Sequence, residues 1–155
     1  MFSRSPYRIL VLVTLLISVP SHSTTLQCKI LPTIFGIYLK NHYSMKKLTP
    51  TLKDHAVEQF IKELDPSKNT LLKSDVATLK PKLLAMFDSM AGGDCEQLKT
   101  AYDLLAERAK ENETYAKEFL GKQYKLDESV ELILDPRKRD YTANLDERKA
   151  LLRKL

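Results

Sequence analysis

The sequence predicts an all-α fold, an irregular bundle of about five to six helices behind a leader that is cut away. Three observations carry this expectation. Beyond residue 30, apolar residues recur at three- and four-residue spacing over most of the chain, which puts them on one face of a helix. Of 155 residues only 4 are glycine and none is tryptophan, while Lys, Glu, Leu and Ala abound, a composition that favours helix over sheet. Charged residues make up 29% and the two signs are interleaved, as on the wet sides of helices.

The chain opens on a basic pair, Arg4 and Arg8, followed by the uncharged run Ile9–Val19, which is short for a bilayer span. Pro20 ends the run, and Ser21-His22-Ser23 offers small residues where a signal peptidase reads them. Residues 1–23 are therefore expected to be a secretory signal peptide. Residues 24–155 would be a mature domain, periplasmic or secreted, with no membrane contact after cleavage. Losing Arg4 and Arg8 lowers the formal charge from +5 to +3, which calls for no nucleic-acid partner. The remaining 132 residues suffice for one domain with a real hydrophobic core.

The first helix is expected over Ile30–Met45, with Leu31, Ile34, Phe35, Tyr38, Leu39 and His42 on one face. Thr49 and Pro50 open the second, as cap and first helical residue; its apolar stripe is Leu52, Ala56, Val57, Phe60, Ile61 and Leu64. Asp65-Pro66 stops it, because a residue before proline is pushed out of the α region. The loop that follows, up to Asp75, is polar except for Leu71 and Leu72, which implies that it folds down onto something. Ser74 is placed to cap a third helix carrying Val76, Leu79, Leu83, Leu84, Phe87 and Met90. Pro81 should divide or kink that helix near Lys80. Asp94 should cap the longest helix, Cys95 to about Leu120, with Gly121 just beyond its end. Asp103, Glu107, Arg108, Lys110 and Glu111 read as local surface pairs on it. A short helix is expected from Asp127-Glu128-Ser129 through Val130, Leu132 and Ile133 to the Asp135-Pro136 stop. The basic turn Arg137-Lys138-Arg139 follows. Asn144 caps a last helix carrying Leu145, Leu151, Leu152 and Leu155.

Chemistry-bearing patterns are sparse. Cys28 and Cys95 stand open between a disulfide and two independent thiols, since sequence does not fix their geometry. His42 and His55 have no metal-ligand spacing with each other or with the cysteines, so no metal and no cofactor are expected. No nucleophile elbow, glycine-rich phosphate loop or paired-carboxylate arrangement is present, and no catalytic residue is assigned. Asn112-Glu113-Thr114 fits a glycosylation sequon but falls inside the long helix.

The segment Phe60-Ile61-Lys62-Glu63-Leu64-Asp65-Pro66, followed by Leu71-Leu72-Lys73-Ser74-Asp75, resembles the N-terminal helical domain of the bacterial tail-specific, or carboxy-terminal processing, proteases of the Ser/Lys peptidase family. The family pattern is a helix ending in Leu-Asp-Pro, two bulky apolar residues, then Ser-Asp opening the next helix. The family usually has aromatics where this chain has Leu71 and Leu72. The later order is similar as well: a long helix with Tyr115, then Tyr124 to Glu131, then a Leu/Arg/Lys-rich helix from Leu145-Asp146-Glu147-Arg148. The marker residues Leu64, Asp65, Pro66, Leu71, Leu72, Ser74 and Asp75 are structural, and none matches the family's Ser/Lys dyad. The resemblance implies a stand-alone, truncated or split non-catalytic domain without peptidase activity of its own. Its role would be to scaffold or dock a PDZ/serine-protease unit in cis or as a separate chain, or another periplasmic protein. Leu71, Leu72, Leu151, Leu152 and Leu155 are the candidate contacts. The runner-up is an independent periplasmic binding or chaperone-like helical protein.

Overall fold

The computed structural model of the chain describes residues 27–121, 124–125 and 129–155. The expected leader, residues 1–23, and the Asp127-Glu128 start of the expected short helix lie outside the described residues. Within them the chain forms five α-helices: α1 (Leu31–Asn41), α2 (Pro50–Leu64), α3 (Lys73–Ser89), α4 (Glu96–Phe119) and α5 (Leu145–Leu152). Single 3₁₀ turns lie at Cys28–Ile30, Met90–Gly92 and Pro136–Lys138. The fold is all-α. Among the described residues there is no strand, only an isolated parallel bridge between Leu72 and Thr142.

The core sits where α2, α3 and α4 meet. Val57, Ile61 and Leu64 come from α2, Leu79 and Leu83 from α3, and Ala101 from α4. Leu71 enters from the loop between α2 and α3 and is wholly buried. Phe60 and Tyr102 close the edge, ring against ring at 6.0 Å. The α2 stripe read from the sequence is the one that packs.

Helix starts follow local chemistry. The Thr49 hydroxyl accepts a hydrogen bond from the Leu52 N–H at 3.2 Å, with Pro50 at the first helical position. Asn144 accepts from the Glu147 N–H at 2.9 Å, and the Glu147 carboxylate accepts from the Ala143 N–H at 2.8 Å, so two free donors are satisfied reciprocally. Asp94 accepts from the Glu96 N–H at 3.0 Å, and α4 begins at Glu96, one residue later than expected.

The structure corrects five expectations. The first helix ends at Asn41, not Met45: His42 turns extended, and its Nδ1 accepts from the N–H groups of Ser44 and Met45. Tyr38, assigned to the packed face, is 72% exposed. Ser74 caps nothing, because α3 starts at Lys73, two residues earlier than a Ser74 cap implies; the capping passes to Asp75, whose carboxylate accepts from the Leu72 N–H at 3.0 Å. Pro81 does not divide α3, which runs unbroken for 17 residues. The proline faces solvent, while Leu79, Leu83 and Met86 bury themselves on either side of it, and that burial offsets an interior-proline cost of roughly 3 kcal/mol. The short helix expected through Val130 and Ile133 is absent from residues 129–135; Asp135 instead caps the Pro136–Lys138 turn by accepting from the Arg137 N–H. Gly121 does follow α4, yet the glycine in the left-handed region is Gly93, with φ 85°, in the turn that precedes α4.

Cys28 is bonded to Cys95, with Cα atoms 5.9 Å apart. The bridge fastens the 3₁₀ turn ahead of α1 to the start of α4. Helix α1 has no fully buried residue; Phe35 rests against Phe87 at 6.0 Å, and the helix leans on the Met90–Gly92 turn.

Candidate functional site

The marker residues from Leu64 to Asp75 surround one place, the loop between α2 and α3, which is held by bonds that pattern did not disclose. Asp65 is 3% exposed. Its carboxylate accepts from three backbone N–H groups, those of Asn69 (3.3 Å), Thr70 (3.1 Å) and Leu71 (2.8 Å). A buried carboxylate needs such donors to offset the loss of water. The three bonds curl the loop around Asp65, with Lys68 in a left-handed conformation at φ 49°, and the curl drives Leu71 into the core. Pro66 is exposed and acts by ending α2. Leu72, half-buried, pairs with Thr142, whose carbonyl accepts from the Lys73 N–H at 2.9 Å.

A line of opposed charges runs from this loop across α4 to α5. Arg108 donates through Nε (2.9 Å) and Nη2 (3.0 Å) to the two oxygens of Asp75, a bidentate geometry, and through Nη1 to Glu111 at 2.9 Å. Glu111 also accepts from Nη2 of Arg148. Arg148, 1% exposed, gives Nη1 to the Thr70 carbonyl at 2.9 Å. Asn112 donates to the Asn69 carbonyl at 3.0 Å. Burial pushes the Asp75 carboxyl up, but Arg108 and the Leu72 amide outweigh it and hold the group below the usual carboxylate range. The Arg148 guanidinium, helped by Arg108, does the same for Glu111 against its partial burial.

The segment entering α5 is tied to the same loop. Lys68 donates to the Arg139 carbonyl at 2.5 Å, and Arg139 donates back to the Ser67 carbonyl at 2.6 Å. Lys68 also sits over the Tyr141 ring at 5.7 Å. Burial, with the Asp65 charge nearby, pushes the Tyr141 phenol up to about 12. At the far end of α5, Lys149 and Arg153 lie over the Tyr115 ring at 5.0 and 5.6 Å. Beside Arg148, α4 and α5 leave an open groove of about 440 Å³, lined by Glu107, Glu111 and Tyr115 on one side and Leu145, Arg148 and Leu152 on the other.

Of the sequence-marked residues, the structure therefore gathers Leu64, Asp65, Leu71, Leu72 and Asp75 and leaves Ser74 exposed. Leu71 is core and offers no contact to a partner. Leu151 and Leu152 are half-buried, and Leu155, 58% exposed, lies past the end of α5. Arg108, Glu111, Tyr141 and Arg148 were missed. Arg108 and Glu111 had been read as surface pairs, whereas Arg108 crosses to another helix. One signal was present for Arg148: it stands at i+3 from Leu145 and i−4 from Leu152, in the middle of a leucine stripe. The sequon is unusable as the side chain stands, since Asn112 is engaged by Asn69. Among the described residues no group of three His, Cys, Asp or Glu is placed to hold a metal. Carboxylates held ionised against arginines are weak bases, so this arrangement fastens segments together.

The molecule is thus a small all-α domain whose loop and last helix are latched by buried charge. A family model described as the tail specific protease N-terminal domain matches residues 35–155, and the chain belongs to that family. The tail-specific protease of Haemophilus influenzae is 30% identical over 100 residues, a match that takes in 64% of this chain and 14% of that protein. Of the residues marked in the sequence, Asp75 takes part in the latch and Asp65 shapes the loop it grips.

Proposed function

We propose that this domain is a non-catalytic scaffold of a periplasmic tail-specific protease, docking a PDZ/serine-protease unit and shaping substrate access to it. The observation that carries this reading is the latch. It fixes α5 to the bundle through Arg148, Glu111 and Thr70, while Leu145 (43%) and Leu155 (58%) stay exposed at its ends. A helix held rigidly by charge on its inner side, with leucines outside, suits a mount for a second domain. The family membership supports the same role, and so does a latch whose titratable groups are engaged structurally.

The test is capture of the protease unit. The domain, immobilised and exposed to envelope extract, should retain a chain with PDZ and Ser/Lys protease domains. L145D/L155D should weaken that capture by tenfold or more while leaving the helix content unchanged. Peptidase activity in the purified domain, abolished by replacing one serine, would sink the proposal. Capture of assorted unfolded clients in place of a protease would favour an independent chaperone-like role.

A further inference from the structure

The charges of this chain are unevenly placed. All 20 carboxylates lie from Asp54 onward. Residues 24–53 carry five lysines and no acid, whereas residues 54–155 carry 18 cations against 20 carboxylates. The same basic stretch exposes large apolar side chains: Ile30 (47%), Ile37 (58%), Tyr38 (72%), Tyr43 (98%) and Met45 (45%). Their outward position is fixed. On its other side α1 turns Ile34, Phe35 and Leu39 inward, half-buried, and the Cys28–Cys95 bridge fastens its start. Lys53 is engaged by Asp88. Lys29, Lys40, Lys46 and Lys47 are exposed, and among the described residues none has a carboxylate partner. Lys46 reaches only the Lys40 carbonyl, at 3.0 Å.

Exposed isoleucine, methionine and tyrosine beside unpaired lysines, with no acid among them, is the composition of a helix that lies in a lipid headgroup layer. The apolar side chains enter the acyl boundary and the ammonium groups meet lipid phosphates. Among the described residues no helix is long and apolar enough to cross a membrane, so such a contact would lie along the surface. We propose that α1 and the turn after it dock on an anionic phospholipid surface, through Ile37, Tyr38, Tyr43 and Met45 with Lys40, Lys46 and Lys47. A second copy fits less well, because a twofold contact would set these lysines against their own counterparts. The expectation that cleavage leaves the chain clear of the membrane weighs the leader alone and not this placement of charge.

Cosedimentation of the full chain, purified from cells, with phosphatidylglycerol and phosphatidylcholine vesicles tests this. Binding should rise with the phosphatidylglycerol fraction and fall with salt. It should drop about tenfold or more in K40Q/K46Q/K47Q and in I37D/Y38D. Both sets point to solvent, so circular dichroism and the thermal midpoint should not change. Should a variant unfold, slower amide exchange in residues 31–45 of the unmodified chain on adding anionic vesicles decides the matter. Equal binding to pure phosphatidylcholine, or binding unchanged in both variants, overturns the proposal; an uncut leader doing the binding would give that result. A dimer dissolved by I37D/Y38D without lipid, or retention by an acidic envelope protein with no vesicle binding, also overturns it.

Discussion

Two regions hold this domain together by opposite means. At one end, α1 is fastened by a single covalent bond and half-buried apolar contacts, and no residue of it is fully buried. At the other, α5 is fastened by a buried arginine that donates to one carboxylate and one backbone carbonyl, and its one fully buried residue is that arginine. The covalent attachment is strong but local, and the rest of α1 is free to meet other surfaces. The ionic attachment is directional, and it sets the angle and register of α5 relative to the loop. Each kind of fastening suits a different task, contact in the first region and positioning in the second.

Each attachment can be undone separately. Removing the bridge with C28S/C95S should have the largest effect. By chain entropy, a cross-link spanning a separation of 67 residues is worth about 4 kcal/mol, seen as a lower denaturant midpoint. Amides of α1 should then exchange first, while those around Leu79 and Leu83 stay the last to open. Protection of α1 that survives in the double variant would show that the apolar contacts suffice alone.

Arg148→Ala should come next, at about 3 kcal/mol, since it empties a buried side-chain site, leaves the Thr70 carbonyl unpaired and takes from Glu111 one of its two guanidinium partners. Arg148→Met should recover a good part of that loss, because apolar replacement of a buried ion pair is often tolerated, yet it should loosen α5 in hydrogen exchange. Asp65→Ala should match the first of these, because three N–H groups lose their acceptor at once. A smaller effect follows from pH. Asp75 and Glu111 are held below the ordinary range in the folded protein, so their ionised forms favour folding above about pH 4, and that contribution is lost as pH falls through their folded values. Acid titration of stability should steepen there and flatten in D75N/E111Q. The smallest effect is expected from Asn144→Ala, about 1 kcal/mol, read as fraying of the first turn of α5.

The two regions also differed in how far they could be read in advance. Apolar spacing placed the α2 stripe, and cap chemistry placed Thr49, Asp94 and Asn144, because these signals are local and each residue has one common use. The cysteines announced a choice between a bridge and free thiols. The latch was hidden, since an arginine that crosses to another helix has the same local sequence as one that waves in water. Arg108 next to Glu107 and Glu111 looked like a surface pair until α3 was set against it. Pro81 misled for a related reason: local stereochemistry says break, while burial on both sides says continue, and only the packed structure weighs them. The Asp65 loop was recognisable as a stop and as a family marker, but its function as a cradle of three amides needed the fold.

The latch joins distant parts of the chain. Lys68 and Arg139 are 71 residues apart, and Thr70 and Arg148 are 78 apart. As the chain is made from its N-terminus, α2, α3 and α4 are complete before α5, and the bonds from Arg139 and Arg148 to the Asp65 loop can form only once the last segment is present. Until then the Thr70 carbonyl and the Glu111 carboxylate lack a partner that they have in the finished protein. The order of synthesis thus makes α5 the closing step, and a chain interrupted before Arg148 would leave an assembled core with an unfastened loop.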